Sequence, residues 1–215
     1  MATIAEQSKH QEETTTWHGV SLRTIYIVGG ALVLIALVIW GITVSGRRKA
    51  EYSARELDQA RAVAESGNLP LASSSLQKVI QSYPGTPAAE EAVITLNQVR
   101  LVNGQNELAA VNLRDYLKGS HDPQYVAAAN GLLGAALENS RRPLEAAAAY
   151  RAAAAATGVD YLKAEYLVDA GRAYRDAGKT TEAAGAYREV IDKYAKTASV
   201  TEAQVRLAEL TDGKM

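Results

Sequence analysis

Apolar residues divide the chain into a polar start, one long apolar run, and a long segment in which apolar positions recur at helical spacing. Residues 1–23 are mostly polar and predict a flexible tail, and residues 24–46 carry no charge. In residues 47–215, apolar-periodic stretches alternate with breaks rich in glycine and proline. Periodic stretches between such breaks are typical of amphipathic helices. The pattern therefore predicts an all-α chain.

The segment after residue 47 repeats itself with a period of 37 residues. A column of small residues is followed, one helical turn later, by a column of large ones. The small column is Ala72, Ala109, Ala146 and Ala183, and the large column is Leu76, Leu113, Tyr150 and Tyr187. Turn glycines recur at 67, 104 and 178, with Arg141 as the exception. A period of this size predicts stacked helical hairpins, in which the alanines allow close helix crossings.

The breaks between helices set the repeat boundaries. They predict repeats at 53–89, 90–126, 127–163 and 164–197, followed by an unpaired helix at 198–211 that caps the stack. The second helix of each repeat is predicted at 69–83, 106–118, 142–156 and 180–195. Thr86-Pro87 and Asp122-Pro123 have the N-cap and first-turn proline that begin the first helices of the second and third repeats.

The uncharged run from Thr24 to Gly46 predicts one transmembrane helix. As a helix these residues reach roughly 34 Å, enough to cross a hydrocarbon core about 30 Å thick. Tyr26 and Trp40 lie near its ends, where aromatic rings prefer the interface. The alternative is a cleaved signal peptide, but the apolar run exceeds the usual length and basic residues follow it directly. We therefore expect a retained anchor.

The charges beside the span favour one orientation of the domain that follows. Lys9 and Arg23 precede the span within about 20 residues, the range over which the bias acts. More cations follow it within that distance: Arg47, Arg48, Lys49, Arg55 and Arg61. The positive-inside rule therefore favours a cytoplasmic C-terminal domain, although long domains are exported despite such a bias.

Composition argues against several classes of function. Lys and Arg number 23 and Asp and Glu number 24, so the chain has no electrostatic support for nucleic-acid binding. The absence of cysteine excludes disulfides, thiolate metal sites and a cysteine nucleophile. His10 and His18 lie in the tail, and His121 stands in a predicted loop beside Asp122. No phosphate-binding loop or metal-ligand spacing occurs. We predict a non-enzymatic chain without a metal, cofactor or small-molecule substrate.

The columns resemble the tetratricopeptide repeat, most clearly in the fourth repeat. The positions that match there are Leu167, Ala170, Gly171, Tyr174, Ala183, Tyr187 and Val190. In the second repeat Asn97 and Arg100 depart from the small and aromatic positions of the family. The layout of polar tail, single span and repeat domain resembles the bacterial ancillary SecYEG translocon subunit family. That resemblance implies a bacterial inner-membrane protein whose repeats face the periplasm, in contradiction to the charge bias. We expect the periplasmic side, and the cytoplasmic side stays open.

The tetratricopeptide resemblance also implies a groove lined by particular positions of the first helices. In the 37-residue register these positions are Leu57, Arg61, Ile94, Gln98, Gly131, Ala135, Val168 and Arg172. They lack the lysines and asparagines with which some relatives clamp a carboxylate. With Arg172 and Arg175 at one end, the groove is expected to bind a helix or an extended segment of some acidic character.

The resulting hypothesis is a membrane-anchored protein-interaction module. The family resemblance implies an ancillary subunit or chaperone adaptor at the export channel, with other proteins as partners. Two alternatives stay open: a structural subunit of another membrane complex (respiratory, photosynthetic or secretory), and a scaffold that tethers a soluble enzyme. The fold is shared by proteins with many partners, so it does not distinguish these hypotheses.

Overall fold

The computed structural model describes residues 16–17 and 20–211, and the chain divides into two units, residues 1–49 and 50–215. Most of the predicted tail, including His10 and His18, lies outside the described residues. Strand β1 (Thr16–Trp17) pairs antiparallel with strand β2 (Val20–Ser21). The sequence did not predict this short pairing.

Helix α1 extends from Leu22 to Glu65, through the apolar run and into the first helix of the first repeat. Its apolar stretch has a mean hydropathy of 2.6 over an 18-residue window, and none of that window is buried. The helix is therefore long and apolar enough to cross a membrane, a criterion that an N-terminal signal sequence also meets. No glycine or proline break falls between residues 47 and 65, which is why the helix continues.

Antiparallel helices follow α1 in the order that the repeat predicts. They are α2 (Leu69–Ser82), α3 (Pro87–Val102), α4 (Asn106–Tyr116), α5 (Pro123–Asn139), α6 (Pro143–Ala156), α7 (Asp160–Asp176), α8 (Thr180–Lys193) and α9 (Ser199–Leu210). The second helices and the capping helix agree with the predicted ranges to within two residues. The all-α fold is thus confirmed.

Caps and turns fix where these helices begin and end. Thr86 Oγ1 accepts a hydrogen bond from Ala89 N at 3.2 Å, and Asp122 Oδ1 accepts one from Gln124 N at 3.0 Å. Both N-caps are therefore confirmed. Between repeat helices, Gly67, Gly104 and Gly178 adopt positive φ angles, and Arg141 takes the same conformation at φ 57°. The repeat thus imposes its turn even where the glycine is missing.

The two columns form the core of each hairpin. All four column alanines are 0% exposed, and the large residues are nearly as buried. In the last two repeats a glycine faces each tyrosine: a Cβ on Gly134 would lie 2.6 Å from the Tyr150 ring, and one on Gly171 would lie 2.4 Å from the Tyr187 ring. Glycine is required there because the tyrosine ring occupies the space of the missing side chain.

A buried polar group interrupts the core in the second repeat. Asn97 lies at the position of Gly134 and Gly171, and its Nδ2 donates to Asn112 Oδ1 on α4 and to Val93 O, each at 2.8 Å. Arg100 Nη1 donates to Asn97 Oδ1 at 3.3 Å, and burial lowers the pKa of Arg100. These contacts satisfy polar groups that would otherwise be costly to bury. They lie between an apolar cluster of α1–α3 and one centred on α4–α7.

Candidate protein-docking groove

Three adjoining cavities line the face formed by α1, α3 and α5 within residues 50–215. The first, of about 300 Å³, lies between α1 and α3, and the second, of about 260 Å³, lies over α3 and α5. These two share Arg61 and Glu91. The third, of about 400 Å³, lies at the helix starts and shares Tyr125 with the second. We call this row of cavities the A-helix groove.

The groove has apolar walls and polar edges. The apolar part of its lining consists of Ala54, Leu57, Ala88, Ile94, Tyr125 and Ala128. Arg61 Nη2 and Glu91 Oε1 are joined at 2.5 Å across the groove, and Tyr125 reaches Pro87 O at 3.5 Å. Apolar walls with a few polar groups are typical of surfaces that bind a segment of another protein.

A histidine, a tyrosine and a glutamate meet at the wide end of the groove. His121 Nδ1 lies 2.8 Å from Glu90 Oε2, and its Nε2 lies 2.7 Å from Tyr116 O. The rings of His121 and Tyr116 stack with centroids 3.8 Å apart, and the Tyr116 hydroxyl donates to Glu90. Both ring nitrogens therefore lie beside oxygen atoms, although Nδ1 makes no hydrogen bond of acceptable geometry within the described part of the chain. The cluster connects the loop after α4 to α3.

The predicted groove residues divide into two groups. Arg61, Ile94 and Gln98 line the second cavity together. Leu57 contributes to the first cavity but is only 3% exposed, and Val168 is 4% exposed, in the core of the last repeats. Since a ligand contacts exposed atoms, the surface available for docking rests on the first group.

Arg172 and Arg175 are both paired with carboxylates. Arg172 Nε lies 3.1 Å from Glu138 Oε1, and its Nη1 lies 2.9 Å from Asp169 Oδ1. Arg175 Nη2 lies 2.9 Å from Asp176 Oδ1. The hydrogen bond with Glu138 raises the pKa of Arg172, whereas burial raises the pKa of Asp169 to about 6. Each arginine is therefore already paired with a carboxylate of this chain, so neither needs an acidic ligand to neutralise its charge.

Several residues that line the groove were not predicted from the sequence. Asp58, Glu91, Gln124 and Tyr125 contribute to its walls, although none of them stands at a position that the repeat register singled out. The register identifies equivalent positions in successive repeats. It carries no information on which long side chains reach across to the neighbouring helix.

Comparisons with known proteins support the fold and nothing finer. No family model matches the chain, and no curated protein matches it. Among solved structures, the chain is similar to one described as "Crystal structure of MamA protein", with a TM-score of 0.60 and 21% identity over 76% of this chain and 83% of that chain. This structural neighbour has a tetratricopeptide-like fold. The chain therefore has an all-helical, tetratricopeptide-type repeat fold.

Proposed function

We propose that the chain is a membrane-anchored, non-enzymatic module that binds other proteins through the A-helix groove. The observation that carries this proposal is the row of adjoining cavities with Ile94 and Tyr125 in its walls and charged side chains at its edges. The exposed apolar stretch of α1 supplies the anchor. A helical-repeat fold supports the proposal because such stacks present extended surfaces to partners.

In its finer form, the proposal places the chain beside the bacterial export channel as an ancillary subunit or chaperone adaptor. This form rests on the layout of tail, span and repeats. One observation favours the alternative, a structural subunit of another membrane complex. Four apolar side chains are about half exposed on the second helices of the repeats: Leu71, Leu108, Val111 and Leu144. Contiguous apolar patches are typical of surfaces that a partner covers, and Leu108 and Val111 lie one turn apart on α4.

Photo-crosslinking from two positions separates these proposals. A photoreactive residue at Gln98 samples the groove, and one at Leu108 samples the second-helix surface. Client-dependent crosslinks from Gln98, together with contact to channel subunits, are the expected result. A fixed-stoichiometry partner captured only from Leu108 would favour the structural subunit. If neither position captures a channel subunit, the export-channel form is wrong.

The side of the membrane can be tested with a single thiol. The chain has no cysteine, so Ala198→Cys, at the exposed N-cap of α9, introduces a unique one. A membrane-impermeant maleimide would be added to cells whose outer barrier is permeabilised and whose inner membrane is intact. We expect labelling, which places the repeats in the periplasm. Protection that is relieved on lysis would place them in the cytoplasm, and a soluble labelled chain would show that the apolar segment is not an anchor.

A further inference from the structure

The A-helix groove has more carboxylates than cations in its walls. Its acidic residues are Asp58, Glu90, Glu91 and Asp122, and its basic residues are Arg61 and His121. This balance is opposite to that expected from the arginines at 172 and 175, which lie farther along the stack. A ligand in the groove therefore meets a negative surface.

Two of these carboxylates have no cationic partner among the described residues. Glu91 is paired with Arg61, and Glu90 contacts His121. Asp58 is exposed, and no ion pair or hydrogen bond involves its side chain within the described part of the chain. Asp122 lines the third cavity and uses Oδ1 to cap α5, and no ion pair involves its carboxylate within the described part of the chain. Asp58 and Asp122 lie in different cavities, so carboxylates without a cationic partner occur at two places along the groove.

We propose that the A-helix groove binds a cationic segment of another polypeptide, with Lys or Arg side chains placed against Asp58 and Asp122. This inference rests on the proposed function, and it names the chemistry of the partner. The apolar wall formed by Ile94, Tyr125 and Ala128 lies over α3 and α5 in the cavity that adjoins both others. An apolar side chain of the same segment packs there. Charge complementarity selects a basic sequence over the acidic one that the arginines suggested.

The lining residues of α3 indicate the length of a segment that lies along that helix. Along α3 the lining residues extend from Pro87 to Gln98, which at 1.5 Å per residue is about 16 Å. An extended chain covers that distance with about five residues. The expected motif is therefore short, with two basic residues separated by a few positions that include an apolar one.

The test uses the full chain in a nonionic detergent and an array of random heptapeptides. Peptides that bind are resynthesised with a fluorescent label, and their Kd values are measured by anisotropy. We expect enrichment in Lys and Arg, and binding that weakens with salt. Asp58→Asn combined with Asp122→Asn should weaken binding about 3- to 10-fold, since each exposed charge pair contributes modestly. Asn at 122 retains the N-cap.

A matched control removes the same charge elsewhere. Asp115→Asn combined with Asp192→Asn alters exposed carboxylates on α4 and α8 that do not line the groove. The control should leave every Kd unchanged. If it weakens binding as much as the groove variant does, the effect is net charge and the inference is wrong.

The remaining outcomes separate this inference from the proposed function. Gln98→Trp fills the groove from an exposed position. If selected peptides are acidic or uncharged, yet Gln98→Trp blocks them, the groove binds proteins but the cationic specificity is wrong. If Gln98→Trp blocks no peptide, the groove is not the docking site, and the proposed function is wrong in assigning protein binding to it. Dimers that form without peptide and dissociate on Asp58→Asn and Asp122→Asn would identify a second copy as the occupant and overturn the proposal.

Discussion

Tyr150 and Tyr187 occupy the same column of the repeat, but their hydroxyl groups differ in hydrogen bonding. Tyr150 Oη donates to Glu138 Oε2 at 2.9 Å, and burial, together with this carboxylate, raises the pKa of Tyr150. The Tyr187 hydroxyl is buried and has no hydrogen-bond partner among the residues that the structure describes. An unsatisfied buried polar group costs about 1–3 kcal/mol, whereas a typical hydrogen bond contributes about 1 kcal/mol.

Removal of each hydroxyl should therefore change stability in opposite directions. Tyr187→Phe should raise the free energy of unfolding by about 1 kcal/mol, and Tyr150→Phe should lower it by about 1 kcal/mol. Urea unfolding followed by circular dichroism measures both, since the two tryptophans, Trp17 and Trp40, lie outside the repeats. Each variant is the control for the other. A loss of stability in Tyr187→Phe would mean that its hydroxyl has a partner in solution.

Asp169 should make stability depend on pH. Burial raises its pKa from 3.8 to about 6 even though Arg172 opposes the shift. A raised pKa in the folded state contributes to the free energy of unfolding. This contribution is fully present below pH 3.8 and is lost as pH rises through about 6. Asp169→Asn removes this titration, so the variant should match the parent near pH 4 and exceed it by about 2 kcal/mol above pH 6.5.

Urea unfolding of both proteins at several pH values measures this difference directly. The same measurement on Asp115→Asn, at an exposed site on α4, is the control for the substitution itself. A constant difference for Asp169→Asn would mean that the carboxylate is solvated enough to keep its ordinary pKa.

At the scale of the element, Arg141 shows how strongly the repeat determines a turn. Its φ of 57° is unfavourable for a residue with a Cβ, by roughly 1–2 kcal/mol. It nevertheless makes the bonds of the glycine turns: Arg142 N donates to Leu137 O at 2.9 Å, as Gln105 N donates to Arg100 O at 2.8 Å. The hairpin contacts on either side therefore outweigh local backbone preference.

Arg141→Gly should stabilise the protein by about 1 kcal/mol, because glycine adopts this conformation without steric cost. Gly178→Ala is the matched opposite: Gly178 has φ 74°, and no described residue comes within 4 Å of an added Cβ, so the cost of alanine comes from the backbone alone. It should destabilise by about 1 kcal/mol. Equal stabilities for Arg141→Gly and the parent, measured by urea unfolding, would show that the arginine side chain offsets its backbone cost.

Each glycine–tyrosine pair should behave as one unit. Gly171→Ala places a Cβ against the Tyr187 ring and should cost about 1–3 kcal/mol, and Tyr187→Leu leaves a cavity and should cost a similar amount or more. The double variant reproduces the Ala60 and Leu76 pair of the first repeat. It should therefore be at least about 1 kcal/mol more stable than the sum of the single losses predicts.

Gly185→Ala is the control for helix propensity. Gly185 is exposed on α8, and within the described part of the chain no atom lies within 4 Å of an added Cβ, so alanine there should stabilise by about 0.5–1 kcal/mol. If Gly171→Ala behaved the same way, the ring would move without cost and the pairing would carry no energy.

These elements also show what the sequence could and could not predict. The columns of alanine and of Leu or Tyr predicted the hairpins because helix crossing depends on side-chain size at fixed spacing, and the breaks rich in glycine and proline predicted where the helices end. The partners of Glu90, Glu91 and Glu138 could not be predicted, since each pair joins residues more than ten positions apart. The same limit applies to the groove: the register placed Arg61, Ile94 and Gln98 in it, but the charge of the surface depends on such pairings.

At the scale of the repeat domain, residues 50–215, the core consists of unequal parts. The first cluster joins α1, α2 and α3 through residues such as Leu57, Leu76 and Leu96. The other two clusters run from α4 to α9, and Tyr166 and Tyr174 pack against both of them. Between α3 and α4 the interior contains the polar group of Asn97, Asn112 and Arg100. In a stack with nearest-neighbour coupling, a weaker interface is where cooperativity breaks down.

Residues 50–102 should therefore open separately from the rest of the repeat domain. Amide hydrogen exchange of the full chain in detergent should show faster exchange in α2 and α3 than in α5–α8, with one shared opening free energy inside each block. Two matched variants test the coupling, Leu76→Ala in the first cluster and Leu137→Ala in the second. Leu76→Ala should speed exchange in α2 and α3 alone, and Leu137→Ala should speed it across α4–α8. If Leu76→Ala instead accelerates exchange equally in every helix, the polar group does not divide the stack.

Because the A-helix groove extends from α1 to α5 across this interface, a ligand that bridges the two blocks should slow exchange in α2 and α3 more than in α7 and α8.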